Sequence, residues 1–132
     1  MITSHTNDNS RPDYVYRLIT PDNWRAAQRT GDIKYETIDE ADGFFHLSTR
    51  TQALQTANLF FAQEKALCAL KIGVAQLGTR LRFEPVAERN SELFPHYYGV
   101  ISTNWVDEVV DLKRARDHRF AWPATDRNRV AE

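Results

Sequence analysis

The stretch "GFFHLSTRTQALQTANLFFA", which runs from Gly43 to Ala62, changes its hydrophobic period partway along. Its first residues, "GFFHLS", alternate in the manner of a β-strand. Directly behind them, "TRTQ" has the spacing of a capping box, with Thr49 and Gln52 in the paired positions, and apolar residues follow at helical intervals. We therefore predict a strand that passes without a linker into a helix.

The same alternation sets two polar side chains on one face of this strand. Residues two apart point the same way, so His46 and Ser48 lie together while Phe45 and Leu47 face the opposite side. Ser48 also lies where the strand gives way to the helix, close to free backbone N–H groups that favour an anion such as phosphate. The alternative is a hydrogen-bonded core histidine beside an ordinary cap.

The rest of the chain contains more strands than helices. A helix is predicted in "TPDNWRAAQRTG", where Thr20 is a cap, Pro21 suits the first turn and Gly31 suits the end. Strands are predicted in four further segments, of which the second is apolar on both faces and therefore central: "YVYRLIT", "ALCALKIG", "TRLRFEPV" and "WVDEVVDLKRA". Helices crowded into the first half indicate an α+β fold.

Composition and charge limit the classes of protein to consider. The chain has 132 residues, of which 42% are hydrophobic, enough for one domain with a core. Its formal charge of -1 provides no broad positive field, which argues against nucleic-acid binding. Cys68 is expected to be buried and structural, and no window has the length of a membrane span. With no signal-peptide pattern, the sequence predicts a cytoplasmic protein.

Three regions are expected along the chain. Residues 1–13 are polar and predict a disordered tail, residues 14–112 form a single domain, and residues 113–132 form a basic C-terminal extension. In that extension, Phe120 and Trp122 either fold back onto the domain or belong to an arm that contacts anions. Five apolar residues are expected in the core: Phe45, Leu47, Phe60, Leu70 and Phe83.

Two more polar clusters are candidates for a site. In "TRLRFEPV", Glu84 precedes a proline that suits a strand end, from which a carboxylate can reach into a cleft; the alternative is a solvated pair with Arg82. In "ELFPHYYG", three residues form an aromatic cluster that can stack on a flat ring or pack over the core: His96, Tyr97 and Tyr98.

A metal-dependent hydrolase is an alternative function on residue type alone. His46, His96 and Glu84 together have the chemistry of a facial metal site. The sequence lacks the close spacings H-x-x-x-H and H-x-H, so no metal is expected. It also lacks G-x-G-x-x-G, which argues against a doubly wound dinucleotide fold.

Four motifs in this order, "GFFHLST", "ANLFF", "LRFEP" and "LFPHYYG", make the chain similar to the small bacterial family catalogued as domain of unknown function 952. The resemblance runs from about Tyr14 to Leu112. It implies the fold of the ADP-ribosyltransferases, a split pair of small antiparallel sheets with flanking helices around a cleft for a nicotinamide dinucleotide. The implied activity is NAD-utilising ADP-ribosyl transfer or glycohydrolysis, with NAD as substrate.

The resemblance also implies roles for individual residues. Glu84 and His46 would be catalytic, and five residues would bind the dinucleotide: Arg17, Ser48, His96, Tyr97 and Tyr98. We expect Arg17, His46, Ser48 and Glu84 to converge on one concave site, with His96 or Tyr98 at its rim. A non-catalytic module that binds a nucleotide or small anion in the same cleft remains the alternative, because binding and catalytic residues would coincide.

Overall fold

The computed structural model describes residues 11–124, and most of the predicted tail and the end of the predicted extension lie outside them. The fold is α+β, with seven strands in this range: β1 Tyr14–Ile19, β2 Phe45–His46, β3 Leu67–Gly73, β4 Leu81–Val86, β5 Glu92–Tyr97, β6 Val106–Arg114 and β7 Phe120–Ala121. The helices described are α1 Pro21–Thr30, α2 Thr37–Asp42, α3 Arg50–Phe60 and α4 Val74–Leu77.

The strands form two antiparallel sheets. The larger has the order β1-β3-β6-β7, and the smaller has the order β2-β5-β4. In the larger sheet, β3 lies between β1 and β6, with Leu70 opposite Arg17 on one side and opposite Val109 on the other. The predictions of two antiparallel sheets and of a central β3 are therefore confirmed.

The register of the smaller sheet brings two histidines together. His46 on β2 lies directly opposite His96 on β5, and Arg82 on β4 lies opposite the same histidine. The two sheets are joined at one point by reciprocal backbone hydrogen bonds, from the Tyr16 N–H to the Ser48 carbonyl at 2.7 Å and from the Ser48 N–H to the Tyr16 carbonyl at 2.9 Å. The cleft described below is lined by residues of both sheets.

The helix ends follow the predicted caps. Thr20 accepts a hydrogen bond at the start of α1, and Gly31 ends the helix with a left-handed φ of 93°. At α3 the capping box is present, since the Thr49 N–H donates to Gln52 Oε1 over 3.0 Å. The helix α2 was not predicted, because its polar residues read as a loop.

Four of the five predicted core residues are buried, three of them fully and one partly. Phe45, Leu47 and Leu70 are buried, and Phe83 is partly buried against the same core. The prediction for Phe60 is wrong, because its side chain is 59% exposed. The helix α3 turns small residues, Ala53 and Ala57, to the core, while Phe60 lines the cleft.

The chain beyond residue 112 takes part in the larger sheet. The predicted boundary falls inside β6, which continues to Arg114 and pairs with β7. Phe120 is buried in the core, and the Trp122 ring lies 5.3 Å from that of Tyr16. In the described part of the extension, these two aromatic residues therefore fold back onto the domain, which is one of the two predicted alternatives.

Candidate functional site

A cleft of about 870 Å³ contains most of the polar residues singled out from the sequence. Its lining includes four of them: Arg17, His46, Ser48 and His96. Glu84, Tyr97 and Tyr98 are not among the residues that line it. The structure therefore brings four of the seven predicted residues together in one cleft and leaves the other three out of its lining.

Asp39 on α2 organises one side of the cleft and was missed by the sequence analysis. Its side chain is fully buried and makes an ion pair with Arg17, at 3.1 Å from Nη1 to Oδ1 and 2.5 Å from Nη2 to Oδ2. It also accepts hydrogen bonds from the backbone N–H groups of Glu36 and His46. Glu36 and Asp39 form a reciprocal capping box at the start of α2, but their residue types differ from the Ser/Thr and Glu/Gln by which this pattern is recognised in a sequence.

The guanidinium of Arg17 binds other groups of the protein interior. Besides Asp39, its Nη1 donates to the His46 carbonyl oxygen over 3.1 Å, and its side chain is 5% exposed. A pyrophosphate would have to compete with a buried carboxylate for this guanidinium. The structure therefore gives Arg17 the position of an internal brace between β1, α2 and β2, in place of the phosphate contact that the resemblance implied.

Both ring nitrogens of His46 contact carboxylates. Nδ1 lies 2.7 Å from Asp39 Oδ1, and Nε2 lies 2.8 Å from Asp42 Oδ2. Burial alone would lower the pKa of His46, but hydrogen bonds to these two carboxylates and their charges raise it above its usual value. Burial alone would raise the pKa of Asp39, but hydrogen bonds from His46 and Arg17 hold it well below its usual range. His46 is therefore favoured as an imidazolium.

His96 has the opposite character. Its Nδ1 lies 2.8 Å from Glu84 Oε1, and the same oxygen accepts a hydrogen bond of 2.7 Å from the Tyr98 hydroxyl. Burial lowers the pKa of His96, and the hydrogen bond to Glu84 opposes this only in part. Burial would raise the pKa of Glu84, but hydrogen bonds from Tyr98 and His96 lower it. An ionised Glu84 thus holds the Nδ1 proton of a neutral His96 and leaves Nε2 for a ligand.

Aromatic residues surround the two histidines. The ring of Phe44 stacks on His96 with centroids 4.0 Å apart, and the His46 and His96 centroids are 5.6 Å apart. Phe44 also lines the cleft. Tyr97 turns away into the core, where its ring meets Trp105 edge-on. Of the two tyrosines proposed to stack on a ligand, neither is part of the cleft lining, whereas Phe44 is.

Ser48 and the start of α3 do not form the free anion site that the sequence suggested. Ser48 is 2% exposed, and its hydroxyl donates to Thr56 Oγ1 over 3.3 Å. The N-terminus of α3 is already capped by Thr49 and Gln52. The Ser48 hydroxyl instead points along the wall of the cleft to the next turn of α3.

The three residues considered for a metal are separated by their own partners. His46 uses both ring nitrogens on carboxylates, and Glu84 lies on the Nδ1 side of His96. In residues 11–124, no group of three or more His, Cys, Asp or Glu side chains is arranged to hold a metal ion. Nothing in this geometry favours the hydrolase alternative.

Fold and site together define a small α+β protein whose cleft holds a pair of carboxylate-bound histidines. The model of the family described as protein of unknown function (DUF952) matches residues 18–109, so the chain belongs to that family. No curated protein matches the chain. Over the described residues, no helix has the length and apolar character to cross a membrane.

Two solved structures of protein CC0527 from Caulobacter crescentus are similar to this chain. The crystal structure has a TM-score of 0.75 and 30% identity, covering 82% of this chain and 93% of that one. The solution NMR structure has a TM-score of 0.71 and 30% identity, covering 90% of this chain and 98% of that one. The fold of this chain is therefore similar to that of protein CC0527.

Proposed function

We propose that the cleft binds NAD and that the protein transfers its ADP-ribosyl group to water or another acceptor, with His96 as the general base. The observation that carries this proposal is the placement of two histidines in one cleft with ring centroids 5.6 Å apart, where the Nδ1 of His96 lies 2.8 Å from Glu84 and both ring nitrogens of His46 contact carboxylates. Two groups whose environments drive their pKa values apart are the usual arrangement of an acid–base site. The two small antiparallel sheets support an ADP-ribosyltransferase-like fold.

These residues can supply what the proposed reaction requires. The bond between ribose C1′ and the nicotinamide nitrogen breaks, and its electron pair neutralises the nicotinamide, which needs no proton. An acceptor oxygen attacks C1′ as that bond breaks, and in the same step His96 Nε2 takes the proton of the acceptor. The oxocarbenium-like transition state gains from a nearby negative charge.

We assign that negative charge to Asp42 in place of Glu84. Asp42 lines the cleft and is held by His46 Nε2 at 2.8 Å. Its side chain is 47% exposed, so a carboxylate oxygen remains accessible to a ribose hydroxyl or to the developing cation. Glu84 acts through His96 and is a positioning residue.

The non-catalytic binding module stays as a second candidate because of one observation. The carboxylate that the resemblance makes catalytic, Glu84, is not part of the cleft lining and is occupied by His96 and Tyr98. A cleft without that carboxylate can hold a nucleotide and leave it intact.

One experiment separates the two functions. The protein is incubated with NAD, with and without acceptors, while free nicotinamide and ADP-ribose are quantified and NAD binding is measured by calorimetry. We expect His96→Gln to lower nicotinamide release by about 10²–10⁴-fold, the range for a general base, with affinity changed only a few-fold. His118→Gln is the matched control, since His118 is exposed in the turn between β6 and β7.

Binding of NAD without nicotinamide release would establish the module and overturn the enzyme. Absence of both binding and release would overturn the enzyme and would exclude NAD as the ligand of a binding module. Release that is unaffected by His96→Gln would leave an enzyme whose base is another residue.

A further inference from the structure

The end of the cleft next to α3 contains an arginine that the sequence analysis did not single out. Arg89 follows β4 in a short 3₁₀ turn, Ala87–Arg89, and lines the cleft. Its guanidinium lies 4.3 Å from the ring centroid of Phe94 and 5.9 Å from that of Phe60. A long cationic side chain is thus held in place over an aromatic surface.

The guanidinium of Arg89 is available to an anionic ligand, whereas the guanidinium of Arg17 is paired with Asp39. Arg89 Nη2 donates only to neutral oxygens, Gln55 Oε1 at 3.1 Å and Thr56 Oγ1 at 3.3 Å. No ion pair joins Arg89 to a carboxylate within residues 11–124, although its neighbour Glu88 also lines the cleft. Of the arginines that line the cleft within residues 11–124, Arg17 is paired with a carboxylate and Arg89 is not.

Two hydroxyl groups connect Arg89 with the histidine end of the cleft. Thr56 Oγ1 accepts a hydrogen bond from Arg89 and another from the Ser48 hydroxyl at 3.3 Å. Neither bond uses the Thr56 hydroxyl proton, which is therefore free to be donated to an oxygen of a ligand. Ser48 lies two residues from His46, so a polar row runs along one wall from His46 to Arg89.

The aromatic side chains of the cleft lining suit the binding of a flat ring. Phe60, Phe61 and Phe94 all line this end of the cleft, and Phe60 is 59% exposed, an unusual exposure for a side chain of this size. Aromatic side chains stack on nucleobases, and a planar guanidinium binds phosphate in a bidentate manner. The two features together are those of a nucleoside phosphate site.

We infer that Arg89 and Thr56 bind the phosphate of the nucleotide and that the base lies against Phe60, which orients the ligand with its reacting ribose at His46 and His96. This inference rests on the proposed function for the identity of the reacting end. It replaces Arg17, the residue that the resemblance implied, with Arg89 as the phosphate contact.

The test measures binding by calorimetry for ADP-ribose, AMP and adenosine, independently of turnover. We expect Arg89→Gln to weaken ADP-ribose and AMP at least tenfold and to leave adenosine within about twofold. Thr56→Val should weaken the same two ligands to a smaller extent. Arg29→Gln is the matched control, because Arg29 is exposed on α1 and its substitution removes the same charge. Thermal melts of each variant verify that it is folded.

Equal loss for adenosine and AMP would overturn the phosphate contact, as would binding of ADP-ribose unchanged by both Arg89→Gln and Thr56→Val. If NAD is cleaved but Arg89→Gln binds normally, this inference fails and the proposed function stands. If ADP-ribose binding depends on Arg89 but no nicotinamide is released, the inference stands and the catalytic proposal fails. Failure of ADP-ribose and AMP to bind at millimolar concentration would overturn the inference.

Discussion

The carboxylate of Asp39 fixes the positions of the charged groups around it. It accepts hydrogen bonds from Arg17, from the Glu36 backbone and from both the backbone and the ring of His46. A fully buried carboxylate is costly unless it is paired in this way. This one residue therefore gives Arg17 a structural role and, against the effect of burial, helps to raise the pKa of His46.

Removal of Arg17 tests this arrangement. Arg17→Ala leaves the buried Asp39 without its guanidinium partner, so we expect a loss of about 3–5 kcal/mol in the free energy of unfolding. Urea denaturation measures the loss. Arg25→Ala is the control, since Arg25 pairs with Asp22 on the surface and should contribute less than about 1 kcal/mol. Equal losses from the two variants would mean that the buried pair has no special weight.

The two histidines predict opposite dependences of stability on pH. The folded pKa of His46 is raised, so its contribution is complete below about pH 6.5 and is lost as pH rises through the folded pKa. The folded pKa of His96 is lowered, so its contribution is complete above about pH 6.5 and is lost as pH falls. Stability should therefore be greatest near neutral pH.

Variants assign each limb of this profile. Urea melts between pH 5 and about pH 9, on the alkaline side of the usual histidine pKa, should show that His46→Gln removes the alkaline decline. His96→Gln should retain that decline and flatten the limb just below neutral pH. An alkaline decline that persists unchanged in His46→Gln would mean that another group causes it, which would contradict a raised folded pKa for His46.

Two short elements present the polar groups of the cleft. The helix α2 carries Asp39 and Asp42 three residues apart, and β2 is only two residues long yet places His46 opposite His96. Neither element is long enough to be stable alone. Their conformations depend on the buried ion pair of Asp39 and on pairing with β5.

A matched pair of phenylalanine variants tests how the elements pack. Phe120 on β7 is 3% exposed within the core cluster beside α3, so Phe120→Ala should cost about 3–5 kcal/mol. Phe60→Ala should cost less than about 1 kcal/mol, because Phe60 lies mostly in solvent at the cleft. Denaturant melts compare the two directly. A larger loss for Phe60 than for Phe120 would contradict the packing described for α3 and β7.

The molecule as a whole is two sheets joined at the Tyr16 and Ser48 backbone pair, with the cleft lined from both. A ligand that contacts residues of both sheets binds the folded state and not the unfolded chain. Binding is then linked to global stability by mass action. The free energy of unfolding can therefore be used to measure how far the cleft is occupied by a ligand.

Stabilisation by an uncleaved ligand tests this linkage. With His96→Gln to suppress turnover, NAD at 100 times its Kd should raise the free energy of unfolding by about 2.7 kcal/mol. The measurement is a set of urea melts over a series of NAD concentrations, with adenosine as a weaker comparison ligand. No change at saturating NAD would show that the cleft does not distinguish folded from unfolded protein through this ligand.

Local signals in the sequence predicted much of the fold. Thr20 and Gly31 delimit α1, the pair Thr49 and Gln52 starts α3, and the apolar segment around Leu70 forms the central strand. Caps and hydrophobic periods act between residues a few positions apart, so the sequence contains all that they need. The motifs also sufficed to place the chain in its family over residues 18–109.

The chemistry of the site depends on contacts between distant residues. Arg17 meets Asp39 across 22 residues, and Glu84 meets His96 across 12. Residue types and spacing indicated His46 and Glu84 as site residues, and the family resemblance implied Arg17. Whether a charge faces a ligand or a buried partner, however, follows from register and burial, which no local pattern contains. The residue types in the sequence show which groups are capable of reacting. Which of those groups face the cleft depends on tertiary packing, through the burial of Asp39 and the pairing of β2 with β5, because both bring together residues that are far apart in the chain.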